Sequence, residues 1–157
     1  DQAQKFYDEY FLAFPTIKGY FDRTREFARE HGYTETAFGR RRYFPTINAS
    51  MPFVRAFAER MAVNAPLQGT AADIINVAIF QIDKALEKSG LKDKAYLVLQ
   101  IHDELVYEVK DQFLEQVKEI VIKTMVSVIN NSPIKLKITP VPLVTSVATG
   151  SRLDELK

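Results

Sequence analysis

The sequence predicts an α+β fold in which a small antiparallel sheet packs against several helices. Apolar residues recur at helical spacing through most of the chain, and two short runs of β-forming residues flank a polar triplet at positions 102–104. No internal repeat or low-complexity linker divides the chain. With 157 residues and 46% hydrophobic composition, the chain is long enough for one core, so we expect a single domain over residues 1–157.

The first third of the chain is predicted to form two helices. Aromatic residues share one helical face over positions 2–13, and Pro15 interrupts the pattern before a second helix begins. Gly32 suits the left-handed conformation that ends many helices. Because a histidine near a helix carboxy terminus interacts favourably with the helix dipole, we interpret His31 as structural.

Arginines are concentrated in the first half of the chain. Eight of the nine lie between positions 23 and 60, although the formal net charge is only +1. Residues 33–45 are predicted to form a short hairpin or an extended loop, with the arginine triplet 40–42 at its turn. Because arginine binds phosphates and base edges through its planar fork, this block favours a nucleic-acid partner. The alternative is a helical surface of ion pairs, since acidic residues lie among the arginines.

The middle of the chain predicts two more helices, separated by a proline. The first covers about 52–62, with Phe53, Phe57 and Met61 expected on its buried side. Pro66 is expected to break the pattern, and a long helix should follow over 67–88. Apolar residues occupy so much of that helix that we expect it to be buried on more than one side.

The last third predicts a hairpin, a helix and a final strand. Strands are expected over 96–101 and 105–109, with the tight connection at 102–104 between them. Asp111 is expected to cap an amphipathic helix, and residues 136–147 alternate as one more strand, at the edge of a sheet or broken by prolines.

Two adjacent acidic residues in the connection between the strands are the best candidates for chemistry. Across a tight turn, Asp103 and Glu104 can project toward one spot, where a cation must neutralise them or their protonation must change. Oxygen ligands suit Mg²⁺, which is usually held by one or two carboxylates together with waters and phosphates. The alternative is an exposed hairpin tip, where acidic residues are common and need no function.

The sequence has no apolar run of about 18 residues and no cysteine, so we expect no membrane partner and a cytoplasmic location. It opens at Asp1 rather than a methionine, which suggests a piece of a longer polypeptide.

Three segments resemble neighbouring sequence blocks of the family A, bacterial polymerase-I-like DNA polymerases. They are GRRRYFPTINAS (39–50), RAFAERMAVNAPLQGTAADI (55–74) and QIHDELVYEV (100–109). Their order and spacing match the family, and the resemblance covers nearly the whole chain. It implies the carboxy-terminal palm segment of a DNA-directed DNA polymerase, with primer-template DNA and deoxynucleoside triphosphates as partners.

The resemblance also implies roles for individual residues. Asp103 matches the palm aspartate that binds the catalytic Mg²⁺ ions, and Glu104 is an auxiliary carboxylate. The residues that match DNA or primer contacts are His102, Gln100, Arg60, Asn64, Gln68, Arg42 and Arg41. Positions 60, 64 and 68 would share one face if the helix were unbroken, although Pro66 argues against that.

Two elements of the family are missing from this sequence: the second palm aspartate and the basic fingers helix. Transfer with two metals needs carboxylates from separate elements, so we expect a split or truncated polymerase. This chain would be inactive alone and would require a complementary amino-terminal region. One alternative is a non-catalytic duplex-DNA-binding module whose binding is indifferent to Mg²⁺. The other, a small metal-dependent phosphodiesterase, needs a second acidic cluster that the sequence does not offer.

Overall fold

The computed structural model describes residues 2–131 and 142–156. The helices are α1 (Gln2–Ala13), α2 (Pro15–His31), α3 (Pro52–Lys88) and α4 (Leu114–Ser127), and the strands are β1 (Tyr33–Glu35), β2 (Arg41–Tyr43), β3 (Ala95–Ile101) and β4 (Glu104–Val109). Strand β1 pairs antiparallel with β2, and β3 pairs antiparallel with β4. The predicted α+β class is therefore confirmed. None of the described helices is long and apolar enough to cross a membrane.

The chain divides into two compact units, Asp1–Thr70 and Ala71–Lys157. The core of the first unit contains Ala28, Phe44, Ile47, Ala58, Ala62 and Ala65. The core of the second unit contains Ile82, Leu86, Leu91, Ala95 and Val117. The assignment of residues 1–157 to a single domain stays a prediction.

Helices α1 and α2 end where the sequence predicted. Pro15 is the first residue of α2, and Gly32 ends that helix with a φ of 77° while its N–H donates to the Ala28 carbonyl at 2.8 Å. His31 stacks on Phe27 with 4.1 Å between ring centroids. It therefore packs against its own helix, in agreement with the structural interpretation.

The hairpin of β1 and β2 forms as predicted, but two of its arginines lie elsewhere than expected. Arg41 and Arg42 belong to strand β2, and only Arg40 lies in the connecting loop. The loop closes early because the Thr36 hydroxyl accepts from the Arg40 N–H at 3.2 Å, and because Gly39 adopts a positive φ of 81°. Placing the whole triplet at the turn was therefore wrong.

Helix α3 runs unbroken for 37 residues with Pro66 inside it, so the predicted break is wrong. A proline removes one backbone donor and crowds the preceding turn, at a cost of about 3 kcal/mol in an unsupported helix. Here Ala62, Val63 and Ala65 are buried just before the proline. The Tyr20 hydroxyl also donates to the Val63 carbonyl at 3.0 Å. Packing against the rest of the first unit thus maintains the helix.

The buried side of α3 also differs from the prediction. Phe53 and Phe57 are 77% and 53% exposed, whereas the alanines at 58, 62 and 65 face the core. Both sets of residues recur at helical spacing, and small side chains allow neighbouring elements to approach closely. Beyond position 70 the buried apolar residues of α3 are Ile75, Ala78, Ile82 and Leu86. Phe80 is 63% exposed, so burial on more than one side is not observed in the described chain.

Helix α4 presents the predicted apolar face, with Val117 in the core and Ile120 and Val121 packed against it. Asp111 does not cap this helix: it begins a short 3₁₀ turn, and no side chain caps either element. The chain over 142–147 forms no strand. The rest of the predicted final strand, 136–141, lies outside the described residues.

Replacing Pro66 with alanine should stabilise the chain by roughly 1–2 kcal/mol. The substitution restores a helical hydrogen bond and relieves crowding, offset partly by the greater entropy of the unfolded chain. Urea denaturation of Pro66→Ala measures this change. The matched control is Pro52→Ala, because a proline at the first position of a helix loses no intrahelical bond. Equal responses to the two substitutions would contradict the account of α3.

Candidate active site

Strands β3 and β4 are joined by a turn of two residues, His102 and Asp103. Glu104 is the first residue of β4 and pairs with Ile101, so the connection is one residue shorter than predicted. His102 has a φ of 52°, in the left-handed region, which a two-residue hairpin turn requires and which glycine or asparagine usually supplies. The turn therefore holds Asp103 at the tip of the hairpin at the cost of some backbone strain.

The two faces of this hairpin have different surroundings. Leu105, Tyr107 and Val109 pack against the core of the second unit. Side chains alternate along a strand, so Glu104 lies on the opposite face, across from Ile101. Tyr96, Leu99 and Ile101 are 53%, 41% and 48% exposed. Glu104 thus borders an apolar surface that the described chain leaves uncovered.

Asp103 and Glu104 are both exposed, and neither forms an ion pair or a hydrogen bond with the described residues. Within 2–131 and 142–156, no three potential metal ligands come together. Two carboxylates alone can bind a magnesium ion when water and phosphate oxygens complete its shell. The pair therefore has the oxygen ligands that such an ion prefers, without a complete set of them.

The two other candidates near the turn are placed differently. His102 lies beside Asp103 in the turn, whereas Gln100 pairs with Leu105 and so faces away from Glu104. The Gln100 side-chain amide is 3.5 Å from the His102 carbonyl oxygen, too far for a strong hydrogen bond. The structure therefore brings His102 and Asp103 together and leaves Gln100 on the other face.

Tyr107 lies on the inner face of the hairpin. Burial raises the pKa of its hydroxyl to about 12, and the negative charge of Asp83 adds to the effect. The phenol is therefore neutral at physiological pH.

In the first unit, α3 exposes a row of polar residues. Arg60, Asn64 and Gln68 are all exposed and lie one turn apart, and they share one face because the expected break at Pro66 does not occur. No ion pair or hydrogen bond to the described chain holds any of the three. The Arg60 guanidinium lies 5.8 Å from the centre of the Phe57 ring. The row is therefore available to a ligand.

The two arginines of β2 differ in whether an acidic side chain of the described chain pairs with them. The Arg41 Nε donates to the Glu35 carboxylate at 2.6 Å, and that partner raises the pKa of Arg41. Arg42 lies 5.6 Å over the Phe44 ring and has no acidic partner in the described chain. Arg42 is thus the better placed of the two to bind an anion.

Some arginines of the basic block are engaged in ion pairs instead. Arg25 contacts Asp22 at 3.4 Å, and Arg29 contacts Glu59 at 2.6 Å and links α2 to α3. The alternative of an ion-paired helical surface is confirmed for these two arginines.

Sequence reasoning missed how closely the first hairpin approaches α3. A Cβ atom added at Gly69 would lie 2.5 Å from the Thr36 Cγ2, so only glycine fits there. A cavity of about 70 Å³ adjoins this contact and is lined by Thr34, Glu35, Thr36, Arg40, Arg42, Ala65, Gln68 and Gly69. Glycine at position 69 permits a close approach, but no local sequence pattern identifies the hairpin as the neighbour.

Comparison with solved structures shows what kind of domain this fold belongs to. The POL domain of Pol1 from M. smegmatis, in a complex with DNA primer-template and dNTP, superposes with a TM-score of 0.76 and 39% identity over 81% of this chain and 22% of that one. The fold is thus that of part of a polymerase domain.

Sequence comparison identifies the family. The model of DNA polymerase family A matches residues 1–155. DNA polymerase I of Rhizobium leguminosarum is 42% identical over 98% of this chain, and that of Pseudomonas aeruginosa is 43% identical over 98%. The chain belongs to DNA polymerase family A. It spans 15% and 16% of the lengths of these two relatives.

Replacing Gly69 with alanine should destabilise the chain by about 1–3 kcal/mol, because the new methyl group displaces Thr36. Helix propensity alone would favour alanine by about 1 kcal/mol. Gly19→Ala in α2 is the control, since its Cβ would meet only the movable end of Arg23 at 3.0 Å. Urea midpoints distinguish the two variants. Stabilisation of both by a similar amount would show that the hairpin does not rest on Gly69.

Proposed function

We propose that this chain is a carboxy-terminal palm portion of a DNA-directed DNA polymerase, and that Asp103 and Glu104 supply part of its Mg²⁺ site. The observation that carries the proposal is the pair of exposed carboxylates at the β3–β4 turn, which have no partner within the described residues, in a chain that belongs to DNA polymerase family A. Template-directed nucleotidyl transfer is the reaction that the proposal assigns to the complete enzyme.

The reaction joins the primer 3′-oxygen to the α-phosphorus of a deoxynucleoside triphosphate, and pyrophosphate leaves. Bound Mg²⁺ would help to deprotonate the 3′-hydroxyl and would neutralise charge on the departing pyrophosphate. Asp103 and Glu104 would hold the Mg²⁺ at the tip of the hairpin. His102, beside Asp103, is proposed to contact the primer terminus. Gln100 is proposed to contact it as well, from the other face of β3.

A second set of carboxylates must come from outside this chain. Two-metal transfer needs ligands from separate elements, and within the described residues no group of three His, Cys, Asp or Glu side chains is arranged to hold a metal ion. Uncovered apolar side chains support a companion region: Phe80 is 63% exposed and Tyr96 is 53% exposed. We therefore propose that this chain is inactive alone and works with a complementary amino-terminal region.

The first unit is proposed to hold the primer-template duplex. Arg60, Asn64 and Gln68 present donors along one helical face, which suits the acceptors that every base pair shows in the minor groove. Contacts of this kind test the shape of a base pair without reading its sequence. Arg42, with Arg41 beside it, is proposed to contact the DNA backbone.

A second candidate is a non-catalytic module that only binds duplex DNA. The exposed polar row on α3 favours this candidate, because DNA binding by that row would not require the carboxylates of the β3–β4 turn. Such a module would bind DNA equally well with and without Mg²⁺ and would support no incorporation with any companion.

A cytoplasmic location stays a prediction.

The first test is reconstitution. The chain alone should incorporate no nucleotide, and mixing it with the remaining region of a family A polymerase should restore template-directed incorporation. In the reconstituted enzyme, Asp103→Asn should lower kcat by roughly a thousandfold, since a metal-held charge is worth several kcal/mol in the transition state. Primer extension with gel-resolved products measures this loss.

The affinity of Asp103→Asn for the duplex should change less than about twofold, because the proposed DNA contacts are made by other residues. Asp111→Asn, which removes another exposed acid of the second unit, should keep full activity. Full incorporation by Asp103→Asn would exclude the proposed metal role, and incorporation by the chain alone would exclude the need for a companion.

Arg60→Ala should weaken duplex binding about five- to tenfold at every DNA sequence and lower the slope of log affinity against log salt by about 1. Fluorescence anisotropy over a range of salt concentrations measures both effects. Arg29→Ala is the comparison, because that arginine is engaged with Glu59. Unchanged duplex affinity in Arg60→Ala would exclude the proposed minor-groove contact by this residue.

A further inference from the structure

We propose that Thr70 is a positioning residue for DNA binding. Its hydroxyl hydrogen-bonds the loop of the β1–β2 hairpin to α3 and thereby fixes the position of Arg42 relative to Gln68. The inference rests on the proposed function, because it takes these two side chains as DNA contacts. Thr70 itself touches no proposed substrate.

The Thr70 hydroxyl makes two hydrogen bonds in opposite roles. It donates to the Pro66 carbonyl within its own helix at 2.6 Å, and it accepts from the Ala37 N–H of the hairpin loop at 2.9 Å. The donated bond points the oxygen lone pairs toward the loop. One hydroxyl therefore joins two segments that lie 33 positions apart in the sequence.

Two neighbouring contacts complete the attachment. The Arg40 guanidinium donates to the Gly69 carbonyl at 3.1 Å, and Gly69 lacks the side chain that would keep Thr36 away. Ala37 and Arg40 belong to the loop between the strands, and Gly69 and Thr70 follow Pro66 on α3. We define the contacts of Thr70, Gly69, Ala37 and Arg40 as the clasp.

The clasp lies beside the side chains whose separation it controls. Arg42 in β2 and Gln68 in α3 both line the cavity of about 70 Å³ at this junction. The Thr34 hydroxyl there is buried and has no hydrogen-bond partner within the described residues. The hairpin is short, with three residues in each strand. Phe44, directly after β2, shares the core with Ala62 and Ala65 of α3, and the bonds made by the loop attach the other end of the hairpin to the same helix.

Thr70→Val tests the inference, because valine keeps the shape of threonine and removes the hydroxyl. Thr70→Ser restores the hydroxyl. The matched control is Thr24→Val in α2, where the lost hydroxyl donates to the Tyr20 carbonyl at 2.7 Å, four residues earlier, and reaches no other element. Both valine variants lose the same bond within a helix, and only one loses the clasp.

Thr70→Val should raise the dissociation constant for primer-template duplex about fivefold relative to Thr24→Val, which corresponds to one hydrogen bond of ordinary strength. In the reconstituted polymerase, KM for DNA should rise by a similar factor while kcat changes less than about twofold. Thr70→Ser should recover most of the affinity. Hydrogen exchange of the Ala37 amide should accelerate in Thr70→Val alone.

Equal duplex affinity in Thr70→Val and Thr24→Val would overturn the inference and leave the proposed function intact. A fall in kcat with unchanged KM would also overturn it, because the clasp is assigned to DNA placement. If the wild-type chain binds no duplex, the proposed DNA grip and this inference both fail. If binding depends on Thr70 but the reconstituted enzyme never incorporates nucleotide, only the proposed polymerase activity fails.

Discussion

The unbroken helical hydrogen bonding of α3 through Pro66 is the constraint on which the first unit depends. Because the helix continues, its alanine stripe stays in the core while Arg60, Asn64 and Gln68 remain on one exposed face. The same continuity places Thr70 one turn after the proline, where its hydroxyl bonds the proline carbonyl. A helix that ended at Pro66 would turn Gln68 away from Asn64 and would remove the surface that receives the hairpin.

Electrostatics explains how an acidic pair can remain unpartnered at the β3–β4 turn. Two carboxylates about 5 Å apart in water repel each other by only about 1 kcal/mol, which an exposed turn tolerates. In the proposed complex, DNA, a triphosphate and a companion region would displace that water, so the same repulsion would increase several-fold and phosphate charge would add to it. A divalent cation would then be needed, and the exposure of Asp103 and Glu104 suits such a proposed site, which would assemble only with its substrates.

Local sequence signals predicted much of this structure. Pro15, Gly32 and the alternating strands around position 103 act through backbone preferences over a few residues, and each element that they indicate was found. The errors occurred where distant residues decide the outcome. Packing keeps Pro66 helical. Alanines occupy the core in place of Phe53 and Phe57, and the Thr70 hydroxyl accepts a hydrogen bond from a loop 33 positions away. Periodicity cannot choose between two apolar stripes on one helix, and motif resemblance names contact residues without showing what positions them.

The central claim is that the β3–β4 turn holds a catalytic metal ion. The most direct measurement is paramagnetic broadening of backbone amide signals by Mn²⁺, in place of Mg²⁺, in the reconstituted polymerase with primer-template and a non-hydrolysable triphosphate. The account predicts strong broadening at residues 102–105 that disappears in Asp103→Asn. An active enzyme whose bound Mn²⁺ leaves these signals sharp would contradict it.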